Sequence, residues 1–174
     1  QVQIGIAGPL RVNGEHAKGD FFVPMATTEG TLVASYNRGM RVLAESGGVT
    51  ATVVKRSMQR APVFMFETAR QARDFGEWVT QNHDLIRAAA ESTTRSGRLV
   101  EIEQYALANM LHLRFNYTTG DAAGQNMTGK ATLAAGEWIA AHHPGSAKSL
   151  LSGTMDTDKT HYQLNMLVTR GRSV

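Results

Sequence analysis

Apolar residues recur along the chain with two periods, and these periods predict where its helices and strands lie. Over residues 28–44 the spacing is three or four, so we expect a helix with one apolar stripe, formed by Leu32, Tyr36, Met40 and Leu43. Thr27 or Thr28 is expected to cap the start of this helix. Gly47 and Gly48 are expected to end it.

Residues 62–151 predict a compact unit of strands and helices. Its strands are expected at residues 62–66, 98–106, 111–117 and 148–151, and its helices at residues 69–90 and 125–142. A further strand is predicted at residues 49–57, where β-branched side chains are frequent. The order β-α-β-β-α-β is that of the ferredoxin-like fold, in which two helices cover one face of a four-stranded antiparallel sheet.

Alternation and helical spacing also predict which side chains form the core of this unit. Apolar and polar residues alternate from 111 to 117, as they do in a strand with one buried face. Val100 and Ile102 are expected to share one face of the preceding strand. The first helix of the unit is expected to break near Asn82 and His83. The last helix is expected to bury the stripe Met127, Ala131, Ala134, Trp138 and Ala141.

The sequence therefore predicts an α+β protein with a small domain inserted into a larger one. Residues 62–151 form the ferredoxin-like insert. Residues 1–61 and 152–174 belong to the larger α/β domain, which is incomplete. Because the chain opens at Gln1 close to an apolar segment and stops straight after an alternating one, we interpret it as a fragment of a longer chain.

Composition excludes several classes of site. The chain has no cysteine, which rules out disulfides, thiolate metal sites and a cysteine nucleophile, and which fits a cytoplasmic protein. The net charge of +3 is scattered, whereas a nucleic-acid binder usually carries a basic stripe with aromatic residues. The six histidines form no H-E-x-x-H motif or cluster, so we expect no metal. Neither a signal peptide nor a membrane span is expected in this segment.

Three polar segments are candidates for chemistry. Residues 23–30 (VPMATTEG) place Glu29 at the start of a helix. The alternative to a role in chemistry is structural, because the helix dipole favours an acid at this position. Ser35, Asn37 and Arg38 follow inside an otherwise apolar helix, which favours a helix that is buried on one side and lines a ligand groove on the other.

Each of the other two segments is a loop for which two interpretations are possible. Residues 119–127 (TGDAAGQNM) run from a strand into a helix, and their backbone N–H groups could hold a phosphate. The alternative is an ordinary strand-to-helix loop, and the segment lacks the Rossmann fingerprint. Residues 151–160 (LSGTMDTDKT) carry two acids and Lys159. They form a solvated surface loop or, if buried in a cleft, hold Lys159 as a fixed cation.

Taken together, the three segments resemble those of the 3-hydroxy-3-methylglutaryl-CoA (HMG-CoA) reductase family. Residues 23–30 resemble its substrate-side signature, residues 120–127 its Asp-Ala-Met-Gly-Met-Asn cofactor motif, and residues 152–159 its lysine-bearing loop. They occur in the family's order and at similar separations. The flanking segments agree as well, at residues 7–10, 47–48, 58–60 and 170–174.

This resemblance implies a large substrate-binding domain and a ferredoxin-like domain that binds the nicotinamide cofactor. It implies the NADPH-dependent, two-step reduction of HMG-CoA to mevalonate and CoA, a reaction of isoprenoid precursor synthesis. It also implies a homodimer or higher oligomer, because the family builds its active site at a dimer interface, or a complex with a second fragment of the same enzyme. No nucleic-acid partner is expected.

The resemblance also assigns residue roles. Glu29 matches the family's proton donor, and Lys159 matches the lysine that stabilises negative charge on the substrate oxygen. The residues that match substrate contacts are Arg60, Ser152 and Asp158 for the hydroxymethylglutaryl part, and Ser35 and Asn37 for CoA. The residues that match cofactor contacts are Asp121, Gly124, Gln125, Asn126 and Met127, with Arg95 for the 2′-phosphate of NADPH.

The sequence departs from the family in two respects. Thr160 stands where the animal-type loop has a second lysine. The family's catalytic aspartate and histidine lie beyond the last residue of this chain, so the chain alone lacks half of the catalytic set. The alternatives are a truncated, non-catalytic homologue that binds nucleotide or CoA, and a ferredoxin-like interaction domain of another kind.

Overall fold

A computed structural model of the chain describes residues 2–53, 55–145, 148–151, 153 and 155–156. These residues fall into two compact units, one within residues 2–53 and the other within residues 55–156. Both units combine helices with antiparallel strands, which confirms the α+β class. Within the described ranges, no helix is long and apolar enough to cross a bilayer.

The first unit is a β-hairpin with one helix packed on it. Strand β1 (Ile4–Asn13) pairs antiparallel with β2 (Lys18–Ala26), and helix α1 (Gly30–Glu45) contacts β1. The register shifts between Ala7 and Leu10, where Gly8 has a φ of +140°. A Cβ at Gly8 would lie 2.8 Å from the Phe21 carbonyl oxygen, so this bulge requires glycine. This hairpin is not among the elements that the hydrophobic pattern predicts.

Helix α1 begins two residues later than predicted, and its cap differs from the prediction. The N-cap residue is Glu29, and no side chain caps the helix, so the prediction of a Thr27 or Thr28 cap is wrong. The Thr27 hydroxyl instead accepts a hydrogen bond from the Glu29 N–H at 3.0 Å. The predicted end is confirmed, since Gly47 and Gly48 both have positive φ and donate to carbonyls of the last turn.

The prediction of a strand at residues 49–57 is also wrong for the residues of this range that the structure describes, 49–53 and 55–57. Val49 makes only an isolated bridge to Val12, and the next strand is β3 (Met58–Arg60). Apart from that bridge, the β-branched residues described in this segment form no ladder with a named strand, although the Ala51 carbonyl accepts a hydrogen bond from the Glu15 N–H at 3.2 Å.

The second unit is a sheet with helices packed against one face. Its elements are β3 (Met58–Arg60), β4 (Val63–Met65), α2 (Ala69–Gln81), α3 (His83–Glu91), β5 (Arg98–Leu107), β6 (Met110–Thr118), α4 (Gln125–His142) and β7 (Lys148–Leu150). Strand β6 pairs with β5 on one side and with both β3 and β4 on the other, and β4 also pairs with β7. All these pairings are antiparallel. The order of the elements is the predicted one, and the assignment of this unit to the ferredoxin-like fold stays a prediction.

The core of this unit confirms the alternating pattern of β6 and corrects two details. The side chains of Leu111, Leu113, Phe115 and Tyr117 are buried against helices α2, α3 and α4. Val100 does not share a face with Ile102: a bulge between Leu99 and Glu101 leaves Val100 exposed and buries Leu99 instead. The buried stripe of α4 lies about one position beyond the prediction, at Thr128, Ala131, Thr132, Ala135 and Ile139.

The predicted break in the first helix of this unit is confirmed, because α2 ends at Gln81 and α3 begins at His83. Helix α2 begins with a capping box in which the Thr68 hydroxyl accepts from the Gln71 N–H and the Gln71 side chain accepts from the Thr68 N–H. The two helices present Phe75, Val79 and other apolar residues to the sheet.

Candidate functional site

In the first unit, the candidate residues lie on helix α1 and at its start. Glu29 is exposed and occupies the N-cap position, where the helix dipole favours a negative charge. Ser35 is exposed on the following turns. The Asn37 side-chain oxygen accepts a hydrogen bond from the Gly8 N–H at 2.9 Å, so this residue ties α1 to the bulge of β1. Sequence reasoning found the residue but missed this structural contact.

A groove of about 650 Å³ runs beside this contact, between the hairpin and α1. It is lined by Gly8, Pro9, Arg11, Ala34, Asn37, Arg38, Arg41, Ala44 and Glu45. Arg11 binds Asp20 through two hydrogen bonds, and Arg41 binds Glu45. Asn37 and Arg38 line this surface depression, whereas Ser35 does not, and a ligand role for the groove stays a prediction.

In the second unit, the segment between β6 and α4 is a loop with two glycines that ends at the N-terminus of a helix. Gly120 and Gly124 have φ values of +67° and +78°, and Gly124 is the N-cap of the 18-residue helix α4. No side chain caps this helix, so the amides of its first turn point to the helix end without a capping oxygen. Asp121 and Asn126 are exposed beside them.

The loop that carries Arg95 lies next to the start of α4. A Cβ on Gly97 would overlap the Met127 sulfur, and one on Gly124 would lie 3.3 Å from the Met127 methyl carbon. Met127 therefore fills the space between the two segments, and both glycines leave room for it. The Gly97 N–H donates to the Thr94 hydroxyl at 2.9 Å, and Arg95 itself is exposed.

Arg60 lies at the end of β3, where it is close to a residue that sequence reasoning missed. Its Nη1 atom is 3.6 Å from Oδ2 of Asp156, and the two side chains are 18% and 8% exposed. The Asp156 Oδ1 atom accepts a hydrogen bond from the Ala61 N–H at 2.5 Å. In the sequence, Asp156 is one of two acids in a polar loop, and nothing in that pattern distinguishes a buried carboxylate from a solvated one.

The face of the sheet away from the helices holds a buried polar cluster that sequence reasoning also missed. Glu103 accepts hydrogen bonds from Tyr105, Arg114 and Asn116. Burial alone would raise the pKa of Glu103, but these donors outweigh it and hold the pKa below its usual range. Burial, together with Glu103, raises the pKa of Tyr105 to about 12.

His112 belongs to the same face and is 3% exposed. Neither of its ring nitrogens has a hydrogen-bond partner within the part of the chain that the structure describes. Burial therefore lowers the pKa of His112, because the charged imidazolium would be poorly solvated there. Arg114 and Asn116, the other polar residues of this alternation, are buried as well, which alternation alone does not reveal.

Ser152, Asp158 and Lys159, which the sequence analysis nominated, lie outside the described residues. The candidate residues that the structure does place form two groups. Glu29, Ser35 and Asn37 belong to the first unit. Arg60, Arg95 and the residues at the start of α4 belong to the second unit, with Arg95 next to α4 and Arg60 beside Asp156. Their roles stay predictions.

Comparison with known proteins identifies the family of the chain. The sequence is 45% identical to the 3-hydroxy-3-methylglutaryl-coenzyme A reductase of Methanothermobacter thermautotrophicus and 42% identical to that of Pyrococcus abyssi. Each alignment covers 100% of this chain but only 44% and 43% of the relative, so the chain spans less than half the length of these proteins.

The fold is similar to that of solved reductases. A class II 3-hydroxy-3-methylglutaryl-CoA reductase from Streptococcus pneumoniae, solved bound to NADPH, aligns with a TM-score of 0.54 at 20% identity and covers 87% of this chain and 42% of its own. At that identity the likeness concerns the fold. The sequence model of the hydroxymethylglutaryl-coenzyme A reductase family matches residues 1–174, and the chain therefore belongs to this family.

Proposed function

We propose that this chain is part of a longer catalytic region that reduces HMG-CoA to mevalonate and CoA in two steps with NADPH. The family match over residues 1–174, which includes all three candidate segments, carries the proposal. Family membership explains why these segments occur together, whereas an unrelated ferredoxin-like interaction domain would not need them. Cytoplasmic location and a homo-oligomeric state stay predictions.

The residues at the start of α4 fit a dinucleotide phosphate. The uncapped first turn of a helix attracts anions through its amides and the helix dipole. Arg95 lies in the adjacent loop, and its planar guanidinium suits the 2′-phosphate that distinguishes NADPH from NADH. Asp121, Gln125 and Asn126 are exposed at the same end of the helix.

The remaining candidates would serve the substrate. Arg60, with Ser152 and Asp158, would bind the hydroxymethylglutaryl part, and Ser35 and Asn37 would bind CoA. NADPH, when bound, supplies the hydride in each step. Lys159 would stabilise the negative charge that develops on the substrate oxygen, which lowers the barrier more than it strengthens ground-state binding. Glu29, in its protonated form, would give that oxygen a proton.

The test uses a protein extended to the length of the relatives and measures NADPH oxidation with HMG-CoA. Lys159→Ala should lower kcat about a hundredfold or more with little change in the KM for HMG-CoA, because the cation acts mainly in the transition state. Glu29→Gln should likewise bind substrate and turn over poorly. Lys18→Ala, which removes an exposed lysine of β2, is the charge-matched control and should be normal.

Two results would contradict the proposal. One is normal turnover after Lys159→Ala. The other is an extended, folded protein that binds NADPH or CoA but never turns over, which would favour the non-catalytic homologue. Residues 1–174 alone should be inactive, since the family's aspartate and histidine are expected outside them.

A further inference from the structure

The short segment that ends at Asp156 is attached to a break in the sheet. Strands β3 and β4 follow one edge of β6 but are interrupted at Ala61 and Pro62. The Ala61 carbonyl accepts a hydrogen bond from the Gly153 N–H at 2.8 Å, and the Ala61 N–H donates to Asp156 Oδ1 at 2.5 Å. Both polar groups of Ala61 are thus satisfied by residues more than ninety positions further along the chain.

The attachment tolerates almost no change in shape. A Cβ at Gly153 would lie 2.8 Å from the His112 Nδ1 atom and 2.9 Å from the Ala61 carbonyl oxygen, so only glycine fits between the sheet and this segment. The Asp156 N–H also points to the Gly153 carbonyl, at 3.4 Å. The backbone therefore fixes where the Asp156 carboxylate lies.

A carboxylate that is 8% exposed must be compensated, because burying a charge without partners is costly. The Ala61 amide compensates Oδ1, and the Arg60 guanidinium lies 3.6 Å from Oδ2. The separation is too long for a direct hydrogen bond but within the range of an ion pair between two largely buried groups. Backbone hydrogen bonds hold the Asp156 segment, whereas the long Arg60 side chain has more rotatable bonds to fix.

We propose that Asp156 is a positioning residue that holds the Arg60 guanidinium ready for the carboxylate end of the substrate. This inference rests on the proposed function, in which Arg60 contacts the hydroxymethylglutaryl part. A guanidinium carries five N–H donors, so it can receive a ligand carboxylate while Nη1 stays beside Asp156. Arg60 then loses less conformational entropy when the substrate binds. This favours the binding of the anionic substrate, which Arg60 contacts.

The decisive variant is Asp156→Asn in the extended protein. Asparagine keeps an oxygen that can accept from the Ala61 amide, but it removes the charge that faces Arg60. We expect the KM for HMG-CoA to rise roughly tenfold, the size of a lost charge-assisted contact, with the KM for NADPH and the melting temperature nearly unchanged. Asp156→Glu keeps the charge and should lie closer to the wild type than Asp156→Asn.

A double-mutant cycle separates positioning from general stability. In an Arg60→Ala background, Asp156→Asn should raise the KM for HMG-CoA no further, because its effect passes through Arg60. Asp84→Asn, which removes an exposed carboxylate at the start of α3, is the matched control and should leave both KM values unchanged.

Equal KM increases in the wild-type and Arg60→Ala backgrounds would overturn the inference, as would equal effects of Asn and Glu at position 156. If the wild type is active and Asp156→Asn leaves the KM for HMG-CoA unchanged, the inference is overturned and the proposed function is not. A wild type that shows no activity with HMG-CoA would overturn the proposed function, and this inference would fall with it.

Discussion

The two units differ in how they bury their apolar side chains. Among the described residues, the second unit contains eighteen of the twenty buried apolar residues, and the first contains only Ala7 and Met40. Ile4, Ile6 and Phe22 of the hairpin are 68%, 67% and 68% exposed. The second unit therefore has a core of its own, whereas the first unit rests on backbone pairing and on the contact of α1 with β1.

The comparison shows that the candidate functional residues are present in both units, whereas the buried core lies mainly in the second. The first unit holds Glu29, Ser35 and Asn37 on elements with little core beneath them. The second unit places its cofactor candidates on the end of α4, a helix anchored along its length by Ala131, Ala135 and Ile139. A rigid helix end is the better support for a precise anion contact.

The largest expected effect tests whether the cores differ as described. Phe115→Ala, at a side chain with no exposure, should lower the free energy of unfolding by about 3–5 kcal/mol, because it leaves a cavity against the helices. Phe22→Ala removes the same ring from the exposed hairpin and should cost less than about 0.5 kcal/mol. Urea unfolding of residues 1–174, followed by circular dichroism, compares the two. Similar losses would mean that the hairpin has a core we have not recognised.

A middle-sized effect concerns the proposed cofactor contacts of the second unit. Arg95→Ala in the extended protein should weaken NADPH binding roughly ten- to a hundredfold and leave NADH nearly unaffected, because only NADPH carries the 2′-phosphate. Arg87→Ala, an exposed arginine of α3, removes the same charge nearby and serves as the control. Isothermal titration with each cofactor measures the difference. If both cofactors lose affinity equally, Arg95 supports the loop and does not select the cofactor.

The smallest expected effect concerns the buried polar face of the same unit. His112→Leu should raise the free energy of unfolding by about 1 kcal/mol at neutral pH, because it removes two buried nitrogens that lack partners among the described residues. Burial lowers the pKa of His112 from its usual 6.5, so the unfolded chain binds more protons than the folded one below that pH. The stability of the wild type should therefore fall as pH drops through about 6.5.

In His112→Leu, the free energy of unfolding should fall less over the same pH range. Urea titrations between neutral and mildly acidic pH measure it for both proteins. Curves that run parallel over this range would show that His112 does not titrate with unfolding. Glu103, whose pKa is also held low, reduces stability only at more acidic pH, as the pH falls from the usual carboxyl range towards its lowered pKa.

The sequence predicted those elements whose periodicity coincides with burial. Helix α4 has the predicted bounds, and the alternation of Leu111 through Tyr117 marks the face of β6 that packs against the helices. The hairpin escaped prediction because its alternating residues Ile4 and Ile6 are exposed and because glycine and a bulge interrupt the pattern. Periodicity reports burial, so a strand held mainly by its backbone gives a weak signal.

The candidate site was predictable where motifs are local. The start of α4 could be recognised because its glycines and polar residues are consecutive. The Asp156–Arg60 pair could not, since its members are far apart in sequence and an acid in a polar loop normally points to solvent. The burial of His112 could not either, because alternation assigns it to the outer face and only tertiary packing covers that face.

The interruption of the strand at Ala61 has a consequence for the order of folding. The Ala61 peptide can bind Gly153 and Asp156 only after the chain has closed a loop of more than ninety residues, and such distant contacts form late. The helices and the β5–β6 hairpin involve nearer neighbours and can form first. We therefore expect the surroundings of Arg60 to form last, so that during synthesis helix α4 exists before the contacts between Ala61 and the Gly153–Asp156 segment are complete.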